Sequence, residues 1–426
     1  MSSSEYQLYT LNNGLRVAHL KTPSTLLVHC GFVILAGSRN DEEIPGVAHF
    51  LEHMFFKGTQ RRKTIHVLNH LEVVGGELNA FTTKEITTLY ATVQKKHFSR
   101  AVDILCDITL NSSFPEQEII KEKIVIKDEI NMYLDTPEEN IYDEFQELIY
   151  GNHPLAHNIL GSSTSIDLVN KEALQNFISK NYQPQNMVFV VVGNLTSERV
   201  LSTLNKYLPP SIGVEPISSK FSDLMSTKLN SASNIQFPIY TPFHERKVSD
   251  FSQAYGIMGI PTYEETHAKR FELLLLNNLL GGPGMNSRLN LAIREKYGYT
   301  YHIESGYQAF SDSGLFHCYL SCEEKYLNKS IELIQKELRK LKEQKLGKLQ
   351  LSQAKNQLIG QLVIANETRS GLLVHIGKGI LKFGRARTMK ETIQSIEKIT
   401  AESLQDTANE VFDIQNFSHL HYIPDK

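Results

Sequence analysis

The chain of 426 residues has few cysteines, little net charge and no long apolar run. Its four cysteines form no Cys-x-x-Cys motif. Cys318 and Cys322 lie four apart in a predicted strand, which favours small buried hydrophobes in a reducing compartment. No segment approaches the roughly 18 apolar residues of a membrane-spanning helix. A net charge of −3 gives no electrostatic footprint for nucleic acid or an anionic membrane. The remaining composition, 41% hydrophobic and 21% charged, is that of a soluble globular protein long enough for two domains.

The first residues, Met1-Ser2-Ser3-Ser4-Glu5-Tyr6, have neither the basic region nor the apolar region of a signal peptide. They are not an Arg-rich amphipathic transit peptide either. We therefore expect a cytoplasmic protein, or a protein of an organellar matrix if a transit peptide has been removed.

The most informative stretch is His49-Phe50-Leu51-Glu52-His53. We predict a helix here, because Pro45 precedes the stretch, no helix breaker interrupts it and Gly58 follows it. At 100° per residue, the two histidines and the glutamate lie within an arc of roughly 100°. Two imidazoles on one face can bind a single cation, while the carboxylate beside them faces whatever the cation holds. This inverzincin pattern, the inverse of His-Glu-x-x-His, predicts a metal site with its own general base.

A tetrahedral zinc site needs a third protein ligand and keeps a fourth position for water. Residues 114–133 form a predicted helix, with Pro115 near its start and apolar residues at helical spacing. Periodicity does not choose among four acidic candidates on this helix: Glu118, Glu122, Asp128 and Glu129. Glu122 and Glu129 are seven apart and share a face, as a ligand and a supporting carboxylate would.

Other histidine pairs and a glycine-rich run are weaker candidates for a functional site. His66 and His70 lie four apart in a predicted helix with no carboxylate between them, which is typical of a solvated face. His153 and His157 flank a proline in a predicted turn. No Lys-Ser/Thr follows residues 281–284, Gly-Gly-Pro-Gly, so we interpret that run as the end of a helix and not as a phosphate loop.

The chain contains an internal repeat. Residues 171–190 and 401–420 agree or nearly agree at six positions with a constant offset of 230, and in both a short helix turns into a strand. Two copies of an α+β domain are the economical interpretation. The second copy of the histidine helix, near residues 271–282, has no histidine pair and cannot hold the metal. The predicted divisions are a metal-binding domain at 1–212, a linker at 213–235 and a second domain at 236–426.

The histidine motif, with a glutamate 76 residues beyond its second histidine, resembles the pitrilysin/insulinase family of zinc peptidases. Within that family, the chain is most similar to the mitochondrial-processing-peptidase-like branch. Further matching segments are Gly75-Gly76-Glu77-Leu78-Asn79-Ala80-Phe81-Thr82, Asp135-Thr136-Pro137, Ser287-Arg288-Leu289, Arg294-Glu295-Lys296 and Tyr301. The resemblance therefore covers nearly all of the chain.

The resemblance implies which residues hold and assist a zinc ion. It selects Glu129 as the third ligand, beside His49 and His53. It also implies that Glu122 supports the ligand set and that Glu52 acts as the general base.

The resemblance also implies which residues handle the substrate. Arg294 and Tyr301, in the metal-free second domain, would stabilise the charge that develops on the scissile carbonyl. Asn79, Ala80 and Phe81 would lie on an edge strand to which an extended substrate adds by main-chain hydrogen bonds.

The implied fold is two homologous α+β domains, each a sheet packed with helices, that form half of a clamshell. The implied function is a zinc endopeptidase that hydrolyses short or unfolded polypeptides inside a closed chamber. We expect a homodimer, with a heterodimer of related subunits as the alternative. The rival function is a non-catalytic structural or regulatory subunit. Such relatives usually lose the His-x-x-Glu-His set or the Arg/Tyr pair, and this chain has both, which favours the enzyme.

Overall fold

The computed structural model describes residues 6–208, 214–216, 240–366 and 368–425. The chain divides into two compact units, and each unit draws on both halves of the sequence. Unit 1 takes its residues from 1–131, 157–234 and 365–388, and unit 2 takes its residues from 132–156, 235–364 and 389–426.

Unit 1 is built on a seven-stranded sheet with the order β4-β5-β3-β6-β2-β1-β7. Its strands are β1 Gln7–Leu11, β2 Arg16–Lys21, β3 Leu27–Ile34, β4 Glu77–Thr82, β5 Thr87–Gln94, β6 Met187–Gly193 and β7 Val214–Pro216. Its helices are α1 Val47–Met54, α2 Thr64–Glu72, α3 Phe98–Leu110, α4 Glu116–Leu134, α6 Ser163–Leu168, α7 Lys171–Asn181, α8 Ser197–Tyr207 and α12 Arg369–Phe383.

The core of unit 1 lies on both faces of its sheet. Every residue of β6 is buried, as expected for a central strand covered on two sides. One face packs against Leu373, Ile376 and Ile380 of α12, and α3 packs against β3 and β5. A buried ion pair between Lys382 and Glu85 also joins α12 to this unit.

Unit 2 is built on a five-stranded sheet with the order β10-β11-β9-β12-β8. Its strands are β8 His244–Ser249, β9 Ala254–Thr262, β10 Thr300–Ala309, β11 Gly314–Cys322 and β12 Ser418–Pro424. Its helices are α5 Pro137–Tyr150, α9 Arg270–Gly281, α10 Glu324–Glu343, α11 Lys348–Ala365, α13 Met389–Glu397 and α14 Ala401–Val411. One core cluster includes residues of α9, α10 and α14, and another includes Ile141 and Phe145 of α5.

The internal repeat predicted from the sequence is confirmed by the order of the strands. In unit 1, β4, β5, β3 and β6 follow one another, and in unit 2, β10, β11, β9 and β12 do the same. The next pair is parallel in both sheets, β6 with β2 and β12 with β8. The two-domain α+β fold class is therefore confirmed.

The units are not contiguous in sequence. Helix α5 comes from the first half of the chain but belongs to unit 2, whereas α12 comes from the second half and belongs to unit 1. The contiguous boundaries at 1–212 and 236–426 stay a prediction about the duplicated copies. The predicted linker at 213–235 lies outside the described residues, except for Val214–Pro216.

Other local predictions can be compared with the structure directly. All four cysteines are free and buried, and Cys318 and Cys322 belong to the apolar core of unit 2. The helix predicted to end at the glycine-rich run does end at Gly281. Within the described residues, no helix is long and apolar enough to cross a membrane.

Candidate metal centre

The helix that carries the histidine motif begins at a glycine and a buried aspartate. Gly46 precedes α1 with a φ of 93°, and a Cβ there would lie 2.6 Å from the carbonyl oxygen of Leu160, so the position requires glycine. The two carboxylate oxygens of Asp41 accept hydrogen bonds from the backbone amides of Gly46, at 2.6 Å, and Ala48, at 3.0 Å. These bonds satisfy amides that a helix N-terminus leaves without partners.

The apolar side of α1 fixes the orientation of its polar side. Phe50, Leu51 and Met54 are fully buried, so the helix cannot rotate without exposing them. The helix ends at Met54, slightly earlier than the sequence predicted. His49, Glu52 and His53 therefore face away from this part of the core together.

Helix α4 supplies the acidic side chains. Its buried residues are Ile119, Glu122, Ile126 and Ile130, at helical spacing, and Glu129 is half-buried on the same side. Asp128 is exposed, and Glu118 forms an ion pair with Lys121 at 2.6 Å. Among the four acidic residues that periodicity left open, the structure brings Glu122 and Glu129 to the histidines.

His49, His53 and Glu129 form a compact group of possible metal ligands. One donor atom from each lies within 4.8 Å of the other two. The Nε2 atom of His49 is 3.9 Å from Oε1 of Glu129, and the Nε2 atom of His53 is 3.7 Å from Oε2. These separations are too long for hydrogen bonds. Within the described residues, this is the one group of three or more His, Cys, Asp or Glu side chains that could hold a metal ion.

Glu52 lies beside this group with one oxygen free. Its Oε2 atom is buried and has no hydrogen-bond partner among the described residues. Hydrogen bonding by the hydroxyl and the backbone of Thr82, at the end of β4, acts to lower the pKa of this carboxylate. Burial raises the pKa of Glu52 above its ordinary value, and the charge of Glu129 adds to that rise, while the bonds from Thr82 oppose it.

The other ring nitrogen of His53 contacts Glu122. Nδ1 of His53 is 3.0 Å from Oε2 of Glu122, and Lys57 forms an ion pair with Oε1 of the same carboxylate. Burial would raise the pKa of Glu122, but the hydrogen bonds from His53 and Lys57 outweigh it, so the pKa lies below its ordinary value. Glu122 is therefore an ionised acceptor, although only 3% of it is exposed.

The two histidines differ in their electrostatic surroundings. Burial, aided by His53, lowers the pKa of His49 to about 3, so its imidazole is neutral at pH 7. For His53, burial acts in the same direction, but the hydrogen bond to Glu122 and the charges of Glu129, Glu122 and Glu52 outweigh it and raise the pKa. Three carboxylates around two imidazoles form a site that favours a bound cation.

The predicted substrate strand lies beside this site. Asn79, Ala80 and Phe81 belong to β4, which pairs with β5 on one side and stands at the edge of the sheet. Helix α1 packs against β4, which explains how Glu52 reaches Thr82. Within the described part of the chain, no strand pairs with the other side of β4.

The Arg/Tyr pair lies in unit 2. Arg294 is in a π-helical turn, Asn290–Glu295, and Tyr301 is near the start of β10 with 82% of its surface exposed. The guanidinium carbon of Arg294 lies 5.5 Å from the centre of the Tyr301 ring, so the structure brings these two residues together. π-Helical turns are rare and occur frequently at functional sites. The roles of all these residues stay predictions.

Sequence reasoning missed two contacts of the site, Asp41 at the start of α1 and Lys57 at Glu122. An aspartate a few residues before a helix is a capping signal that could have indicated Asp41. Lys57 follows the motif closely, but nothing in the local sequence pairs it with a residue of α4. The other histidine pairs, His66/His70 and His153/His157, do not form a described group of metal ligands.

The chain therefore combines two duplicated α+β units with a possible His₂Glu donor set on one of them. The family described as Insulinase (Peptidase family M16) matches residues 16–163, and Peptidase M16 inactive domain matches residues 169–358. The chain belongs to the M16 peptidase family.

Curated relatives span almost the whole chain. An uncharacterized zinc protease of Bacillus subtilis, YmxG, is 32% identical over 408 residues, which cover 95% of each chain. An uncharacterized zinc protease of Rickettsia felis is 32% identical over 409 residues, 96% of this chain and 95% of the relative. Among solved structures, a protease from Helicobacter pylori matches with a TM-score of 0.84 at 20% identity, over 99% of this chain and 100% of the other. That structure supports the fold alone.

Proposed function

We propose that this protein is a zinc-dependent endopeptidase that hydrolyses short or unfolded polypeptides bound in extended form. The observation that carries the proposal is one constellation in unit 1. His49, His53 and Glu129 converge, Glu52 lies beside them with a free carboxylate oxygen, and the edge strand β4 adjoins Glu52. The intact donor set favours an enzyme over a non-catalytic subunit.

The residues fit zinc by their chemistry and by their spacing. Two histidines and a glutamate are the protein ligands of many catalytic zinc sites, which keep a fourth position open. Donors bound at about 2.1 Å in tetrahedral geometry are about 3.4 Å apart. The observed distances of 3.7 and 3.9 Å between the histidine nitrogens and Glu129 are close to that value.

Zinc held by His49, His53 and Glu129 would supply Lewis-acid activation of the attacking water and of the peptide carbonyl. Glu52 accepts the proton of the attacking water at its free Oε2 and returns it to the leaving amine. The raised pKa of Glu52 suits this role, since a base near its working pH can both accept and donate. Arg294 and Tyr301 stabilise the oxyanion.

The edge strand accounts for selection of extended chains. A peptide that adds to the edge of β4 with which no described strand pairs satisfies main-chain groups without regard to side chains, and the exposed Asn79 helps to hold it. A folded protein holds most of its main-chain groups in its own hydrogen bonds and therefore offers few such segments. We propose that a closed chamber reinforces this selection.

The test is zinc content together with peptide cleavage. Purified protein should contain one zinc per chain and cleave a quenched-fluorescent unstructured peptide. A chelator should abolish cleavage, added zinc should restore it, and the same peptide sequence inside a stably folded domain should resist. Cleavage that survives complete removal of metal would contradict the proposal.

We propose further that the active particle is a dimer in which Arg294 and Tyr301 of one chain serve the zinc of the other. A Glu52→Gln chain mixed with an Arg294→Ala/Tyr301→Ala chain then regains one complete site, hence up to about half the wild-type activity per dimer. The control is each variant measured alone, without the other. Absence of recovery, with subunit exchange demonstrated by native mass spectrometry, would contradict sharing between copies of this chain.

A further inference from the structure

We propose that Lys57 is a positioning residue of the metal centre, because its ammonium group holds Glu122 in the orientation that fixes His53 as a ligand. The inference rests on the proposed zinc function and adds a residue outside the ligand set and the general base. Among the described residues, the ammonium group of Lys57 forms its ion pair with Glu122 and not with the proposed ligands, so we assign its effect to Glu122.

The contacts form a chain from Lys57 to the ligand donors. Oε1 of Glu122 pairs with the ammonium of Lys57, and Oε2 lies 3.0 Å from Nδ1 of His53. Nε2 of His53, on the opposite side of the ring, lies 3.7 Å from Glu129. Each carboxylate oxygen of Glu122 therefore has its own cationic or N–H partner, and together the two contacts define the plane of the carboxylate.

This orientation matters for the state of the imidazole. An ionised carboxylate only accepts hydrogen bonds, so Nδ1 of His53 carries the proton and Nε2 keeps the lone pair that a metal needs. Without Lys57, one oxygen of Glu122 would lose its cation inside a site where only 4% of the glutamate side chain is exposed. A buried carboxylate that has lost its cationic partner is high in free energy, so Glu122 would turn away from His53 to reach water.

Lys57 is held in place by its own backbone. Its amide donates to the carbonyl of Met54 at 3.2 Å, and its carbonyl accepts from the hydroxyl of Thr64 at 3.0 Å. Its side chain is 27% exposed. By contrast, the side chain of Lys121 on α4 is 64% exposed and pairs with Glu118 three residues away, as a surface lysine does.

The experiment measures zinc affinity by competition with a chromophoric chelator, in the full-length protein. We expect Lys57→Met to weaken binding by about 10-fold, the lower end of what loss of an outer partner costs. Lys57→Arg should stay close to wild type, because it keeps the charge. Lys121→Met is the matched control and should leave zinc affinity unchanged.

A double-mutant cycle tests whether Lys57 acts through Glu122. In a Glu122→Gln background, the carboxylate that Lys57 holds is absent, so adding Lys57→Met should weaken binding no further. The unfolding temperature of the metal-free variants is measured alongside, and Lys57→Gln serves as the second variant if Lys57→Met does not fold.

The outcomes separate this inference from the proposed function. Equal zinc affinity in Lys57→Met and wild type would overturn the role of Lys57. The same would follow if Lys57→Met weakened zinc binding equally in the wild-type and Glu122→Gln backgrounds. A wild-type chain that binds zinc but cleaves no peptide would contradict the proposed function alone, since the role of Lys57 is measured as zinc affinity. A wild-type chain that binds no zinc would overturn both.

Discussion

Replacement of Glu52 by glutamine separates the chemistry of the site from its metal. The amide has nearly the shape of the carboxylate, and its carbonyl oxygen can still accept a hydrogen bond from Thr82. What it cannot do is take a proton from water at the position of Oε2, the oxygen that has no hydrogen-bond partner among the described residues. The expected result is a chain that folds and binds zinc but turns over very slowly.

The size of the effect follows from the role of Glu52. General-base catalysis typically contributes two to four decades in rate, so kcat should fall by roughly 10²- to 10⁴-fold, or about 3–5 kcal/mol in activation free energy. KM should change little, because the proposed peptide contacts are on β4. Burial raises the pKa of Glu52, so its ionised form is disfavoured in the folded state, and a neutral amide should leave the unfolding temperature equal or higher.

The assay is steady-state cleavage of a quenched-fluorescent peptide, with zinc content and thermal unfolding measured on the same sample. Asp128→Asn is the control, since it makes the same change of chemistry at an exposed carboxylate of α4. Near-normal kcat in Glu52→Gln would refute the assignment of the base. Loss of zinc from that variant would instead move Glu52 into the ligand set.

Two further predictions concern the third ligand and the response to acid. Glu129→Gln should weaken zinc binding, measured by chelator competition, far more than Asp128→Asn at the neighbouring position. Equal zinc affinity in the two variants would mean that another carboxylate is the third ligand. Burial lowers the pKa of His317 in β11 to about 4, whereas the unfolded value is near 6.5. The unfolded chain therefore binds the proton first, and stability should fall as the pH drops from about 6.5 to about 4. In thermal melts of the metal-free protein, His317→Gln should reduce that fall and His302→Gln should not. An unchanged fall in His317→Gln would contradict this reasoning.

The sequence predicted those parts of the structure that depend on local pattern. The histidine helix, the acidic helix and the helix-to-strand segments of the repeat all occur where spacing and breakers indicated. Periodicity also put Glu122 and Glu129 on one face, although choosing Glu129 as the ligand required the family resemblance. Such features depend on residues a few positions apart, which a single sequence displays directly.

The parts that could not be predicted depend on contacts between distant segments. The pairing of Lys57 with Glu122 requires the docking of α4 against the segment after α1, and the bond from Thr82 to Glu52 requires the packing of α1 on β4. Likewise, α12 belongs to unit 1 because Ile376 packs against residues of the first sheet and Lys382 pairs with Glu85 in the turn between β4 and β5. Nothing in the local sequence of α12 distinguishes a helix that packs on its own sheet from one that packs on another.

The corresponding helices of the two units, α1 and α9, show which residues the fold requires and which belong to the candidate metal centre alone. In unit 2, α9 packs against the edge strand β10 as α1 packs against β4 in unit 1, and both helices bury apolar residues. The fold therefore requires only an amphipathic helix on an edge strand, and α9 meets that need without a histidine pair. The candidate metal centre adds three polar residues to one face of α1 and two carboxylates to α4, and among the described residues such a group occurs in unit 1 alone. Its presence there is therefore not required for the stability of the repeat.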